Sequence, residues 1–182
     1  MTTVIGIQYE NKCILYADSL VMDDSYPFKH SSMVKINKHG QYLIGVAGEL
    51  HMLQYLCYVW EPPAPTAEDI KNPFRFMIHG VVPALREELK EANLLPEKSD
   101  DETKNNFELL VCLNSVIFQI DSEFAVVQDV NNFYGVGSGS KYALGALHAG
   151  ASPVKAMEIA QKLDRNTNEP FIKREQRRTK NV

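Results

Sequence analysis

Two threonines stand directly behind the first methionine in MTTVIGIQYENKCILYAD. A threonine hydroxyl is a weak nucleophile until a base lies beside it. A threonine that begins a chain carries such a base in its own α-amine, which titrates near neutral pH. Thr2 is small enough for methionine aminopeptidase to remove Met1, so Thr2 is expected to become the first residue of the working protein.

Three further residue types would complete acyl-transfer chemistry. Asp18 ends the second strand of an N-terminal hairpin, so it folds back beside Thr2 and Thr3, where a carboxylate can orient a nucleophile and hold a cation in its charged form. The alternative is an ordinary strand-ending Asp in a turn. Lys35, in MVKI, alternates with Val34 and Ile36 and points to the opposite face from them. Turned inward near a carboxylate, it would lower the pKa of a neighbouring hydroxyl or amine. Turned outward, it is a solvated lysine, and Lys29 and Lys38 compete for the same role. Gly45, in LIGVAGE, lies inside a strand, where glycine marks a close backbone approach. Its N–H is a candidate oxyanion donor, with tight packing of strand on helix as the alternative.

Other motifs are weaker. GVGSGSK at 135–141 lacks the last glycine of a dinucleotide fingerprint and the glycine before lysine of a Walker loop, though Ser138 remains a candidate polar support. The five histidines show no metal spacing. Cys13, Cys57 and Cys112 are scattered through apolar stretches and read as buried thiols of a reducing compartment. The tail KREQRRTKNV, with five basic residues and one acidic, reads as a solvated end or a docking tail.

The elements that must position these residues follow from the pattern. Thr3–Tyr9 and Cys13–Ala17 form a hairpin around residues 10–12, and 19–32 read as a loop. Met33–Ile36 and Gln41–Ala47 form a second hairpin around His39-Gly40. Leu50, Leu53, Leu56, Cys57 and Trp60 make one apolar helix face. Thr66 caps a second helical stretch that runs, with an interruption near Asn72-Pro73, to about Ala92. Residues 95–106 are a charged exposed loop. Four short strands follow between 107 and 137, then a helix over 138–148. Ser152 caps a fourth helix with Pro153 at its first position, running to about Leu163, and FIKRE at 171–175 is a last strand. Strands, two helices, strands, two helices and a strand fit two sheets packed face to face and covered by helices.

With 182 residues, 45% hydrophobic and 23% charged, the chain is a globular domain with a sizeable core. A net charge of -4 gives no reason to expect nucleic acid. There is no signal-peptide pattern and no apolar run near the ~18 residues of a membrane span, so a cytoplasmic protein without a membrane partner is expected.

Taken together, T-T-V-x-G at the processed start, Asp18 in YADS, Lys35 in VKI, Gly45 in IGVAGE and Ser138 in GVGSGS resemble, in order, the pattern of proteasome β-subunits, and most nearly their bacterial HslV-type relatives. AQKLDRNT resembles the family's Asp-x-x-Ser stretch and adds Asp164 and Thr167. The resemblance spans nearly the whole chain. It implies a single α+β proteasome-like peptidase domain over 1–182, built as a four-layer αββα sandwich of two antiparallel sheets covered by helices. It implies a threonine-type endopeptidase of the N-terminal-nucleophile class, with Thr2 as nucleophile, Lys35 lowering its pKa, Asp18 orienting it, Gly45 stabilising the oxyanion, and Ser138, Asp164 and Thr167 supporting the amine. It also implies homo-oligomeric rings fed with unfolded protein or peptide by an ATPase unfoldase. No cofactor is required, and a structural cation near the loop after the fourth helix is an expected accessory.

The chain departs from the pattern in four places. Its Thr2-to-Lys35 interval is one residue longer, placing a small insertion in DDSYPFKH. Thr167 stands for serine, and the Pro-rich break at 61–66 and the acidic loop at 95–106 are its own. A non-catalytic ring subunit and an amidohydrolase of the same class acting on a small molecule are the competing functions.

Overall fold

The computed structural model describes residues 2–22, 27–28, 33–95 and 107–179. Met1, most of the DDSYPFKH stretch, the acidic loop from residue 96 and the last three residues lie outside them. In chain order the strands of the first half are β1 (Val4–Gln8), β2 (Lys12–Ala17), β3 (Val21–Met22), β4 (Pro27–Phe28), β5 (Ile36–His39) and β6 (Tyr42–Gly48). Helices α1 (Leu50–Tyr58), α2 (Ala67–Lys71), α3 (Pro73–Phe76) and α4 (Val82–Glu91) follow, the last two joined by a π-helical segment, Met77–Val81. The second half has β7 (Phe107–Leu113), β8 (Val116–Ile120), β9 (Val126–Val127), β10 (Phe133–Val136), α5 (Ser140–His148), α6 (Pro153–Leu163) and β11 (Ile172–Arg177).

The fold is α+β, with two main antiparallel sheets. One is ordered β10-β1-β2-β11 and the other β5-β6-β7-β8-β9. The first hairpin forms as its sequence predicts, with Val4 opposite Ala17 and Gln8 opposite Cys13. Asn114 and Ser115 both take positive φ (49° and 72°) in the two-residue turn between β7 and β8, the geometry that matches strand twist.

Three apolar clusters hold the elements. Val46, Leu109, Val111 and Phe118 of the five-stranded sheet pack with Leu53, Leu56, Leu85 and Leu89 of α1 and α4. Each such buried leucine contributes about 1.5–3 kcal/mol. Val4, Leu15 and Val136 of one sheet meet Ile36, Leu110 and Ile117 of the other. Ile5, Ile7 and Tyr16 pack with Ala143, Leu147, Met157 and Ala160 of α5 and α6. Cys13, Cys57 and Cys112 are buried free thiols within these clusters, as expected.

Helix ends follow their signals. Thr66 and Asp69 form a reciprocal capping box on α2, and the Ser152 hydroxyl accepts from Lys155 N–H at the start of α6. The π segment precedes Pro83, which has no N–H and crowds the carbonyl four residues back, so the turn before it widens.

Three expectations are corrected. The 19–32 stretch is not all loop, since Val21 pairs with Phe28 and Met22 with Pro27. The second hairpin starts at Ile36, so Lys35 lies just before the strand, not within it. The last strand forms where FIKRE was expected and runs on to Arg177, so the basic tail, though exposed, is not a free end there. Its residues to Arg177 form β11, paired along β2 from Ile172↔Ala17 to Arg177↔Lys12, and Gln176 ties it to the other sheet through Gln41 and Cys112 carbonyls (2.7 and 3.1 Å).

Candidate active site

The hairpin delivers Asp18 to the N-terminus. The start of β1 lies beside the end of β2, and Asp18 N–H donates to the Thr3 carbonyl (3.1 Å) while Thr3 N–H donates to Asp18 Oδ1 (2.9 Å). Lys35 arrives from the opposite sheet. Its carbonyl accepts from Val46 N–H (2.9 Å), which pins the chain to β6, and its Nζ donates to Asp18 Oδ1 (2.9 Å) and the Leu20 carbonyl (2.6 Å). Asp18 Oδ2 accepts from Leu20 N–H (3.0 Å) and Asn168 N–H (3.4 Å). The pair therefore joins the two sheets, with side chains 1% and 0% exposed for Lys35 and Asp18.

Burial is the largest influence on both ionisations. It lowers the Lys35 pKa, against the attraction of Asp18, and raises that of Asp18, against Lys35 and the Thr3 and Leu20 N–H groups. The facing Asp18 carboxylate favours the charged lysine, while burial makes it release its proton more readily than a surface lysine does.

Thr2 lines a cavity of about 130 Å³ with Lys35, Gly48, Leu20, Met33 and Leu53. Clefts of about 260 and 440 Å³ flank the β5–β6 turn, at the other end of β6.

Gly45 is not part of this cavity. Its Cα faces the gap between the sheets, where an added Cβ would sit 2.8 Å from Val4 Cγ1 and 3.2 Å from Leu15 Cδ1. It is needed for close packing, but of sheet on sheet and not of strand on helix, the alternative expected for it. Gly48, three residues on, lines the cavity at φ 142°. Amide direction alternates along a strand, so Gly48 N–H points to the same side as Val46 N–H, the side of Lys35. The signal for Gly48 was its place at the strand-to-helix junction just before α1.

Ser138, Asp164 and Thr167 come together behind the threonines. Asp164 Oδ2 accepts from Ser138 Oγ (2.8 Å) and Thr167 Oγ1 (2.7 Å), and Thr167 Oγ1 is 2.5 Å from Thr3 Oγ1. Thr167 keeps the hydroxyl that a serine would supply. Thr3 was read only as a neighbour of Asp18, yet it is the residue that ties this network to β1. Gly137, at φ 87°, lies directly on the Thr2 carbonyl, and Gly139 on the Thr3 hydroxyl, with no room for a Cβ at either.

The loop after α6, where a cation is expected, opens on Asp164. Asp164 Oδ1 accepts from Asn166 N–H and Nδ2 (both 3.3 Å), so both its oxygens are taken, and among the described residues no group of three His, Cys, Asp or Glu could hold a metal. Among the same residues no helix is long and apolar enough to cross a membrane.

No protein-family model and no curated protein matches the chain significantly. Solved structures do. Thiobacillus denitrificans BPH superposes with a TM-score of 0.73 at 22% identity, over 99% of this chain and 100% of that one. BPH from the same organism in complex with epoxomicin gives 0.72 at 23%, over 98% and 100%. HslV from Trypanosoma brucei gives 0.65 at 22%, over 97% and 99%. The chain has the HslV-type fold. The likeness runs along nearly the whole of each chain.

Proposed function

We propose that this chain is a cytoplasmic threonine-type endopeptidase, the catalytic subunit of a self-compartmentalised ring fed with unfolded protein by an ATPase. The observation that carries the reading is the buried Lys35–Asp18 pair beside Thr2. Apolar side chains could join the two sheets without the desolvation cost of a buried ion pair, whereas an N-terminal nucleophile needs a cation beside it. The three apolar clusters support a four-layer αββα arrangement, helices outside and sheets within.

With Met1 removed, Thr2 Oγ1 attacks the peptide carbonyl and its proton passes, through water, to the α-amine. Lys35 stabilises the developing alkoxide, and Asp18 holds Lys35 charged. Gly48 N–H, in place of Gly45, donates to the oxyanion, a contact worth about 10²–10³ in rate. The protonated amine returns its proton to the leaving amine, and water then hydrolyses the Thr2 ester. Ser138, Asp164, Thr167 and Thr3 fix the loop over the amine. No cofactor enters these steps. Leu20, Met33 and Leu53 favour a substrate with an apolar side chain before the cleaved bond.

Intact mass reads whether Met1 is lost, and hydrolysis of a varied peptide library then compares wild type with Thr2→Ala. The expected result is processed protein whose activity, and whose capture of epoxomicin, depends on Thr2. Processed wild type as inactive as Thr2→Ala overturns the protease reading. A ring by native mass would then favour the non-catalytic subunit, and a monomer the small-molecule amidohydrolase.

A further inference from the structure

Glu108 has no place in the chemistry above, yet it reaches the same corner. It lies on β7 opposite Ala47 of β6. Ala47 belongs to the cluster between the sheets, and cross-strand partners share a face, so Glu108 also enters that gap. Its Oε2 accepts from Gly137 N–H of the other sheet at 2.8 Å. The β1–β10 register ends at Val4↔Val136, and one step further places Gly137 opposite Thr3. There the ladder stops and the carboxylate takes the N–H.

The consequence falls on Thr2. Gly137 lies on the Thr2 carbonyl and begins the 137–139 segment that presents Ser138 to Asp164. A neutral acceptor would satisfy one backbone N–H at lower desolvation cost than a carboxylate, so the charge itself calls for an explanation. Among the described residues, the other charged groups at this corner are Asp18 after β2, Lys35 before β5, Glu49 after β6 and Asp164 after α6.

We propose that Glu108 is a positioning residue for the Thr2 terminus: its carboxylate straps the 137–139 segment onto Thr2 through Gly137 N–H and keeps negative charge facing the Thr2 α-amine. This rests on the reading that Thr2 begins the working protein. Glu108→Gln keeps the acceptor and removes the charge, while Glu108→Ala removes both.

The test uses protein shown by intact mass to begin at Thr2. The amine is titrated directly, from the pH dependence of its acetylation by acetic anhydride, read by mass spectrometry of the N-terminal peptide. This readout needs no peptidase activity. In Glu108→Gln the amine pKa is expected to fall by roughly half to one unit, since a nearby anion favours the ammonium form. The acid limb of kcat/KM should move down equally, with KM unchanged. Glu108→Ala should also lose about tenfold or more in kcat as the strap is released. An amine pKa equal in wild type and Glu108→Gln overturns the proposal, and that variant decides the matter even if Glu108→Ala fails to fold. An amine shift in a protein that cleaves no peptide would sustain the proposal while sinking the protease reading.

Discussion

Two glycines of one helical segment should respond in opposite directions to the same substitution. Gly139 is the N-cap of α5, at φ −86° and ψ −8°, a negative-φ conformation open to alanine. A Cβ added there would run into the Thr3 hydroxyl, sit 2.5 Å from Thr167 Oγ1 and lie 2.9 Å from Asp164 Oδ2. Those oxygens hold one another, so none can withdraw without breaking a bond. Overpacking of this kind costs about 1–3 kcal/mol, and losing the Thr3–Thr167 hydrogen bond adds about 0.5–1.5 kcal/mol. Gly139→Ala should therefore lose about 2–4 kcal/mol. At about 2–4 °C per kcal/mol for a chain of this size, Tm drops by roughly 4–16 °C. Gly145, exposed within α5, has nothing within 4 Å of an added Cβ. Gly145→Ala should gain about 0.5–1 kcal/mol from helix propensity alone. Urea unfolding of both variants, followed by circular dichroism, gives the two numbers. If Gly139→Ala unfolds within about 0.5 kcal/mol of wild type, the Thr3–Thr167–Asp164 contact is not the rigid hub described here. Peptidase activity should fall with Gly139→Ala and stay level with Gly145→Ala.

Lys35→Met should destabilise by about 3–5 kcal/mol, because it strands the buried Asp18 carboxylate, and adding Asp18→Asn should recover part of the loss while activity stays absent. Equal stability of the single and double variants in urea would refute this coupling. Peptide hydrolysis should be lost at high pH as Lys35 gives up the charge it needs. Burial lowers that group from its ordinary 10.5, so the alkaline limb of kcat/KM should lie below 10.5, and a limb at or above it contradicts the role given to Lys35. Burial holds Cys57 up at about 12 and raises Cys112 further from neutrality, so an aromatic disulfide reagent at neutral pH should label neither until the protein unfolds. Fast labelling of the native protein would show that α1 or β7 opens far more often than its packing implies.

Local chemistry was legible in the chain wherever a few adjacent residues suffice. The Glu10-Asn11-Lys12 turn sets the β1–β2 register and thereby brings Asp18 to Thr3, a contact that follows from counting residues back from a hairpin. Thr66, Ser152 and Pro153 announce helix starts because capping involves only the next turn. What adjacency does not fix was decided in three dimensions. Lys35 turns inward because Asp18 of the other sheet and the Leu20 carbonyl wait for its ammonium; alternation with Val34 and Ile36 gave two faces without saying which was wet. Gly45 and Gly48 are the same residue three positions apart, and only the packing of Val4 and Leu15 on one and the cavity beside the other tell spacer from candidate donor. The basic tail reads as solvated because its charges face water, but its backbone is a strand, since the β2 edge offers unpaired N–H and C=O groups that must be satisfied. Sequence sets which groups are available and the local turns that carry them; the meeting of two sheets determines which of those groups lose their water, and so which can do chemistry.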